Sequence, residues 1–164
     1  KASEIISEKN WLLIIQVLNK LINNEPVQYI LGESEFYNLP FKVNENVLIP
    51  RQETELLVDL IIKENAGKAP RIIDVGTGSG CIAITLKKYL PNAQVTAVDI
   101  SKDALLVAEK NAIMNDVEIN FVHTHIFNKH TFQQQFDIIV SNPPYVTESE
   151  KKLMQPNVLD YEPH

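Results

Sequence analysis

Cysteine is nearly absent from this chain. One residue, Cys81, stands among 164, so an internal disulfide is excluded and a reducing, cytoplasmic setting is expected. No apolar run approaches the roughly 18 residues that a membrane-spanning helix needs, and no membrane partner is expected. Basic residues are the minority, 15 Lys and Arg against 21 Asp and Glu, for a net charge of −6. That balance argues against a broad phosphate-binding surface, and so against direct nucleic-acid binding. Internal repeats, low-complexity tracts and a signal-peptide pattern are also missing. The chain opens at Lys1 without a methionine, so an upstream segment is expected. What is present is globular composition, 45% hydrophobic and 22% charged, in a length that can bury a real core.

Residues 4–22 place Ile5, Ile6, Leu12, Ile15, Leu18, Leu21 and Ile22 at three- and four-residue spacing. This predicts one amphipathic helix or two short ones, ended by Asn23, Asn24 and Pro26, with Trp11 packed in a helix interface. Segment 28–50 sets Gly32, Pro40 and Pro50 among Tyr, Phe, Val and Ile and reads as a hairpin and loop. Residues 53–65 read as a helix with acidic residues in its first turn, which suits the helix dipole. Beyond residue 70 the pattern alternates. "RIIDV" (71–75), "QVTAVD" (94–99), "INFVH" (119–123) and "FDIIVSN" (136–142) read as strands. Residues 81–90 and 102–115 read as helices, the second capped by Ser101. Alternating strands and helices, with strands apolar on both faces, predict an α/β fold with a parallel sheet. A strand as apolar as Phe136–Val140 should not lie bare on a sheet edge. Either more chain follows His164 or a partner covers that edge, and a truncated chain is the favoured expectation.

"DVGTGSG" (74–80) follows the first of these strands and opens a helix. Gly76, Gly78 and Gly80 let the backbone turn sharply, and the helix start offers N–H groups to a ligand. A dinucleotide fingerprint is G-x-G-x-x-G. Here the third glycine comes one residue early, and Cys81 holds its place. Such a loop suits the carboxylate and ammonium of an amino acid better than a pyrophosphate, with Asp74 able to take the ammonium directly or through water. Asp99 ends the second strand, where a carboxylate can accept both ribose hydroxyls of an adenosine. A nucleoside joined to an amino acid describes S-adenosylmethionine. The plainer reading is a structural turn plus an Asp99 that caps the next helix.

The fourth strand ends in "SNPPYV" (141–146). In a doubly wound sheet this strand returns beside the first, and ligands bind at the carboxyl end of that switch point. Asn142, Pro143, Pro144 and Tyr145 are thereby expected to face the glycine loop. Neither proline has an N–H and both have fixed φ, so the corner is stiff and rich in acceptors. Its carbonyls and the Asn142 side chain can grip the two hydrogens of a planar –NH₂ group, while Tyr145 can stack on a flat group. An amide or aryl amine is a weak nucleophile, so orientation and charge placement would carry its methylation. The plainer reading is a rigid turn, since Asn-Pro is a turn dipeptide.

"DVGTGSG", Asp99 and "NPPY" resemble the class I methyltransferases that act on planar exocyclic or amide nitrogens. "EPVQYILGESEFYNLPFKVNENVLIPRQETELLVD" (25–59), with "LIPRQETE" (48–55) and "YEP" (161–163) within and beyond it, is similar to the HemK/PrmC family of protein-(glutamine-N5) methyltransferases, which modify peptide chain release factors. The resemblance spans nearly the whole chain. It implies a Rossmann-like class I fold, with three further strands after residue 164. It also implies 1–26 as the end of a helical N-terminal domain, 27–52 as a β-hairpin linker and 53–164 as an incomplete methyltransferase domain. S-adenosylmethionine is the implied cofactor, held by Asp74, Gly76, Thr77, Gly78, Ser79, Gly80, Asp99 and Asn142, with Ile126 and Phe127 flanking adenine. Asn142, Pro143, Pro144 and Tyr145 are implied to hold the glutamine amide of a release factor. Where the family usually has an acid before Ile126, this chain has His125, which can still accept when neutral.

The remaining candidates read plainly. Cys81 is expected as a small buried residue behind the glycine loop rather than a stabilised thiolate. His123 and His125 lack a third ligand nearby, so no metal site is expected. Arg51 either contacts substrate or anchors the linker. Glu148, Glu150, Lys151 and Lys152 read as a solvated face. Two other functions compete: an N-methyltransferase of DNA or RNA amines, and a truncated module that binds cofactor without turnover.

Overall fold

The computed structural model describes residues 7–128, 132, 134–143 and 161–163. Helix α1, Glu8–Ile22, starts where Ser7 Oγ accepts the Asn10 N–H at 3.3 Å, and it is one helix rather than two. None of its residues is buried, and Trp11 is 54% exposed instead of packed in a helix interface. Apolar spacing sets the stripe along a helix, but not what stands against it. Pro143 and Asn142 fall within the described residues, whereas Pro144, Tyr145 and the 148–152 charge run lie outside them.

A short helix α2, Val27–Leu31, occupies the start of the segment that reads as hairpin and loop. Pro26 precedes its first turn and Gly32 closes it in the left-handed conformation, φ 71°. Strands β1, Glu33–Phe36, and β2, Leu39–Lys42, then form a tight antiparallel hairpin. Both turn residues, Tyr37 and Asn38, have positive φ, 51° and 59°. That turn matches the twist of the strands, but it is unfavourable for a bulky residue. Helix α3, Gln52–Asn65, compensates: the Tyr37 N–H donates to Glu55 Oε1 at 2.9 Å, and its hydroxyl donates to Asp59 at 3.1 Å. Phe36 and Phe41 meet edge to face, with centroids 6.2 Å apart, in one buried cluster with Ile72, Ile84, Leu86 and Val140. The hairpin therefore contributes to the core of the sheet.

Strands β3 (Arg71–Val75), β4 (Gln94–Asp99), β5 (Asn120–His123) and β6 (Ile138–Ser141) form a sheet of order β5-β4-β3-β6, parallel throughout. Helices α4 (Cys81–Tyr89) and α5 (Lys102–Met114) are the first two crossovers, and Ser101 caps α5 by accepting the Ala104 N–H at 3.2 Å. The chain runs outward from β3 to β5 and then returns to pair β6 with β3. The switch point thus lies between the glycine loop and residue 142.

Residues along β6 alternate between faces. Val140, opposite Asp74, is buried. Ile139, opposite Ile73 on the other face, is 74% exposed. Among the described residues this edge strand is covered on one face only. No helix among them is long and apolar enough to cross a membrane.

Candidate functional site

The glycine loop is latched to the end of β4. The amides of Gly76 and Thr77 both donate to the Val98 carbonyl, at 2.8 and 3.0 Å. The Gly78 N–H donates to Asp99 Oδ2 at 2.9 Å, and the Gly80 N–H donates to the Thr77 carbonyl at 2.9 Å. These four amides are engaged inside the protein. They are committed to the fold because the turn that leaves β3 folds back within reach of β4. What the loop leaves open is space: a Cβ on Gly76 or Gly78 would meet nothing within 4 Å.

Gly80 is different. It sits at φ 81° where α4 begins, and a Cβ there would lie 2.9 Å from Ile84 Cδ1 and 3.1 Å from Ala108 Cβ. It is the close-approach glycine of α4 against α5. Gly80→Ala is expected to cost about 2–4 kcal/mol, from the left-handed backbone and overpacking together. Urea unfolding measures this, and a loss under about 1 kcal/mol contradicts it.

Asp74 lies beneath the loop with no exposed surface. Its Oδ2 accepts the Thr77 hydroxyl at 2.6 Å, while Oδ1 is buried with no hydrogen-bond partner. Burial pushes its carboxyl up to about 6, against weaker opposing effects of the Thr77 hydroxyl and the Ala83 amide. The unfolded chain releases this proton near 3.8. Between those pH values the folded chain holds more protons, so stability falls as pH rises through the window and stays reduced at pH 7. Relative to wild type, Asp74→Asn is expected to be about 1–3 kcal/mol better placed at pH 7 than at pH 4 in the ligand-free protein. Urea midpoints at pH 4, 5.5 and 7 check this. A difference that is flat with pH contradicts it.

Asp99, at the end of β4, accepts the Gly78 N–H on one oxygen and the Ser101 N–H at 2.9 Å on the other. A carboxylate has about four acceptor positions, so each oxygen retains one for another donor. The carbonyl of Asp99 takes the Thr124 N–H at 3.1 Å, which holds the end of β5 beside it. Ile126 and Phe127 follow on that turn and are exposed, Phe127 at 82%. They do not line the cleft described next. His125 Nδ1 accepts the Phe127 N–H at 3.2 Å, and His123 Nε2 lies 2.9 Å from the Ile100 carbonyl.

Across the switch point, Asn142 stands at the end of β6. Ser141 Oγ donates to the Val75 carbonyl at 2.7 Å, joining the ends of β6 and β3. Asn142 Nδ2 donates to Thr54 Oγ1 at 3.0 Å. Asn142, Thr54, Arg51, Gly76, Thr77, Gly78 and Ser79 share one cleft, with Leu48–Pro50 and Cys81 in its wall. Cys81 is half-buried in that wall rather than hidden behind the loop, and burial pushes its thiol up to about 12, so it is neutral. Arg51 is an anchor: its Nη2 lies 2.7 Å from both carboxylate oxygens of buried Glu162. Two segments singled out in the sequence, 48–55 and 161–163, are joined by this ion pair.

A polar hub holds the loop from behind. Fully buried Asn111 on α5 accepts the Lys42 N–H at 2.7 Å, and it donates to the Lys42 and Ser79 carbonyls at 2.9 Å each. Thr54 and Asn111 carried no sequence signal of their own. Each is a polar residue in an ordinary helix, and their partners are 88 and 69 residues away.

The chain is similar to proteins of known family. The methyltransferase small domain family matches residues 51–159. A release factor glutamine methyltransferase of Flavobacterium psychrophilum is 57% identical over 90% of this chain and 53% of its own length. The corresponding protein of Bacteroides thetaiotaomicron is 53% identical over the same shares. The chain thus spans about half the length of the curated relatives it matches. Among solved structures, ribosomal protein L11 methylase from Lactobacillus delbrueckii superposes with a TM-score of 0.51 at 33% identity, over 59% of this chain and 49% of that one. A parallel sheet of order β5-β4-β3-β6 and a family match over most of the chain lead to one assignment: the chain belongs to the methyltransferase small domain family.

Proposed function

We propose that this chain carries the cofactor site and substrate corner of an enzyme that methylates the side-chain amide nitrogen of a glutamine in a peptide chain release factor, using S-adenosylmethionine. The observation that carries this reading is that Asn142, at the end of the strand paired with β3, shares one cleft with the glycine loop. The names of the relatives at 57% and 53% identity support the substrate.

The site residues fit the cofactor. Asp74, whose Oδ1 has no partner, would take its ammonium directly or through water, and the open faces of Gly76 and Gly78 would admit its amino-acid part. Asp99 would accept the ribose hydroxyls, and Ile126 and Phe127 would close over adenine. When bound, S-adenosylmethionine supplies a methyl on a positively charged sulfonium. Asn142 Oδ1 and the carbonyls of the Asn142–Pro143–Pro144 corner would hold the two amide hydrogens of the substrate. Tyr145 would stack on the amide plane. The amide nitrogen is then held in line by acceptors alone, which favours charge developing on it and needs no strong base before attack.

The decisive experiment is transfer of a labelled methyl group to a release factor and to its Gln→Ala variant. Label is expected on the first alone. Equal labelling of both, or labelling only of RNA or DNA, overturns the reading.

A further inference from the structure

Asn142 has two ends of nearly the same shape and opposite chemistry. Its oxygen can accept from a substrate amide, whereas its –NH₂ would repel one. Which end faces the cleft decides whether the corner can work. The backbone does not settle this. Pro143 restricts Asn142 to extended conformations, but it leaves the side-chain torsions free.

We propose that Thr54 is a positioning residue that sets the Asn142 amide, and so presents Oδ1 to the substrate –NH₂ group. The proposal rests on the methyl-transfer reading above. Thr54 lies in the first turn of α3, is 8% exposed and lines the same cleft as Asn142. Its Oγ1 accepts the Asn142 Nδ2–H at 3.0 Å, while Oδ1 has no partner among the described residues. A hydroxyl oxygen carries lone pairs that can accept from the Asn142 amide. The platform under Thr54 is firm. Its N–H donates to the Arg51 carbonyl at 3.1 Å, and the Arg51 side chain is tied to buried Glu162. The chain of contacts Glu162–Arg51–Thr54–Asn142 carries the position of segment 161–163 to the amide that grips the substrate.

The test uses the full-length protein with Thr54→Val and Thr54→Ser. Valine keeps the shape and removes the acceptor, and serine keeps the acceptor. For Thr54→Val, kcat for release-factor methylation is expected to fall on the order of tenfold, with KM and the affinity for S-adenosylhomocysteine within about twofold. Thr54→Ser is expected to recover to within about threefold of wild type. Should the valine variant fold poorly, Thr54→Ala against Thr54→Ser reads the same contrast. The proposal is overturned if Thr54→Val keeps wild-type kcat, if serine is as impaired as valine, or if the loss lies in KM or cofactor affinity alone. A wild-type protein that methylates no release factor overturns the proposed function, and this inference with it. An active wild type with an indifferent Thr54→Val overturns this inference only.

Discussion

Asn142→Ala is expected to lower methyl transfer to a release factor by about a hundredfold or more while leaving the protein folded. The argument is one of orientation. An amide nitrogen is a poor nucleophile because its lone pair is delocalised into the carbonyl. A site that only brings it near a methyl donor achieves little. An acceptor on each amide hydrogen holds the nitrogen in line and favours the form in which charge builds on it. The corner after β6 offers few competing donors, since Pro143 and Pro144 have no N–H. Removing the Asn142 side chain takes away the one acceptor that another residue, Thr54, holds in place. The structural cost is small by comparison, one hydrogen bond worth about 1 kcal/mol. Single-turnover transfer measures the effect. A rate within about threefold of wild type would remove Asn142 from the site. Asn142→Asp restores acceptor oxygens but adds a charge, and an intermediate rate is expected.

Asn111→Leu is expected to cost about 3–5 kcal/mol of stability. Leucine keeps the branched shape of asparagine but is larger, so overpacking at this fully buried position adds to the cost. The rest comes from three backbone groups left without partners: the Lys42 N–H, the Lys42 carbonyl and the Ser79 carbonyl. Each unpaired buried group costs about 1–3 kcal/mol, with partial relief where Lys42 can reach water. The hub joins β2, the glycine loop and α5, so the damage does not stay local. The loop loses its anchor at Ser79, and affinity for S-adenosylhomocysteine is expected to fall together with stability. Urea unfolding and calorimetry check the two halves. A loss under about 1 kcal/mol would mean that water replaces the side chain.

The sheet was legible because each strand is a short apolar run bounded by turn residues, and each helix after it starts and stops on recognisable signals. Ser101 caps α5 as its position predicts, and Pro91 follows the end of α4. The return of β6 beside β3 followed from general rules of parallel-sheet winding. Those same rules placed Asn142 opposite the glycine loop. The partners of the loop's amides were not legible, because Gly76, Thr77 and Gly78 bond to β4, a strand formed by later sequence. Trp11 was misjudged for a related reason: an amphipathic stripe predicts burial only where another element covers it.

By itself the sequence determined the strands and crossover helices of the sheet, their order, and the two motifs that meet at its switch point. These depend on periodicity, on proline and glycine geometry and on the handedness of crossovers, all of which act over a few residues or by general rule. Only the tertiary structure decided the rest: that Asp74 is buried with a spare oxygen, that Arg51 is tied to Glu162, that the hairpin fills the core, and that Thr54 holds Asn142. Each of these is a contact between residues far apart in sequence. Its energy comes from desolvation and hydrogen-bond geometry, which exist only once the chain has closed around them.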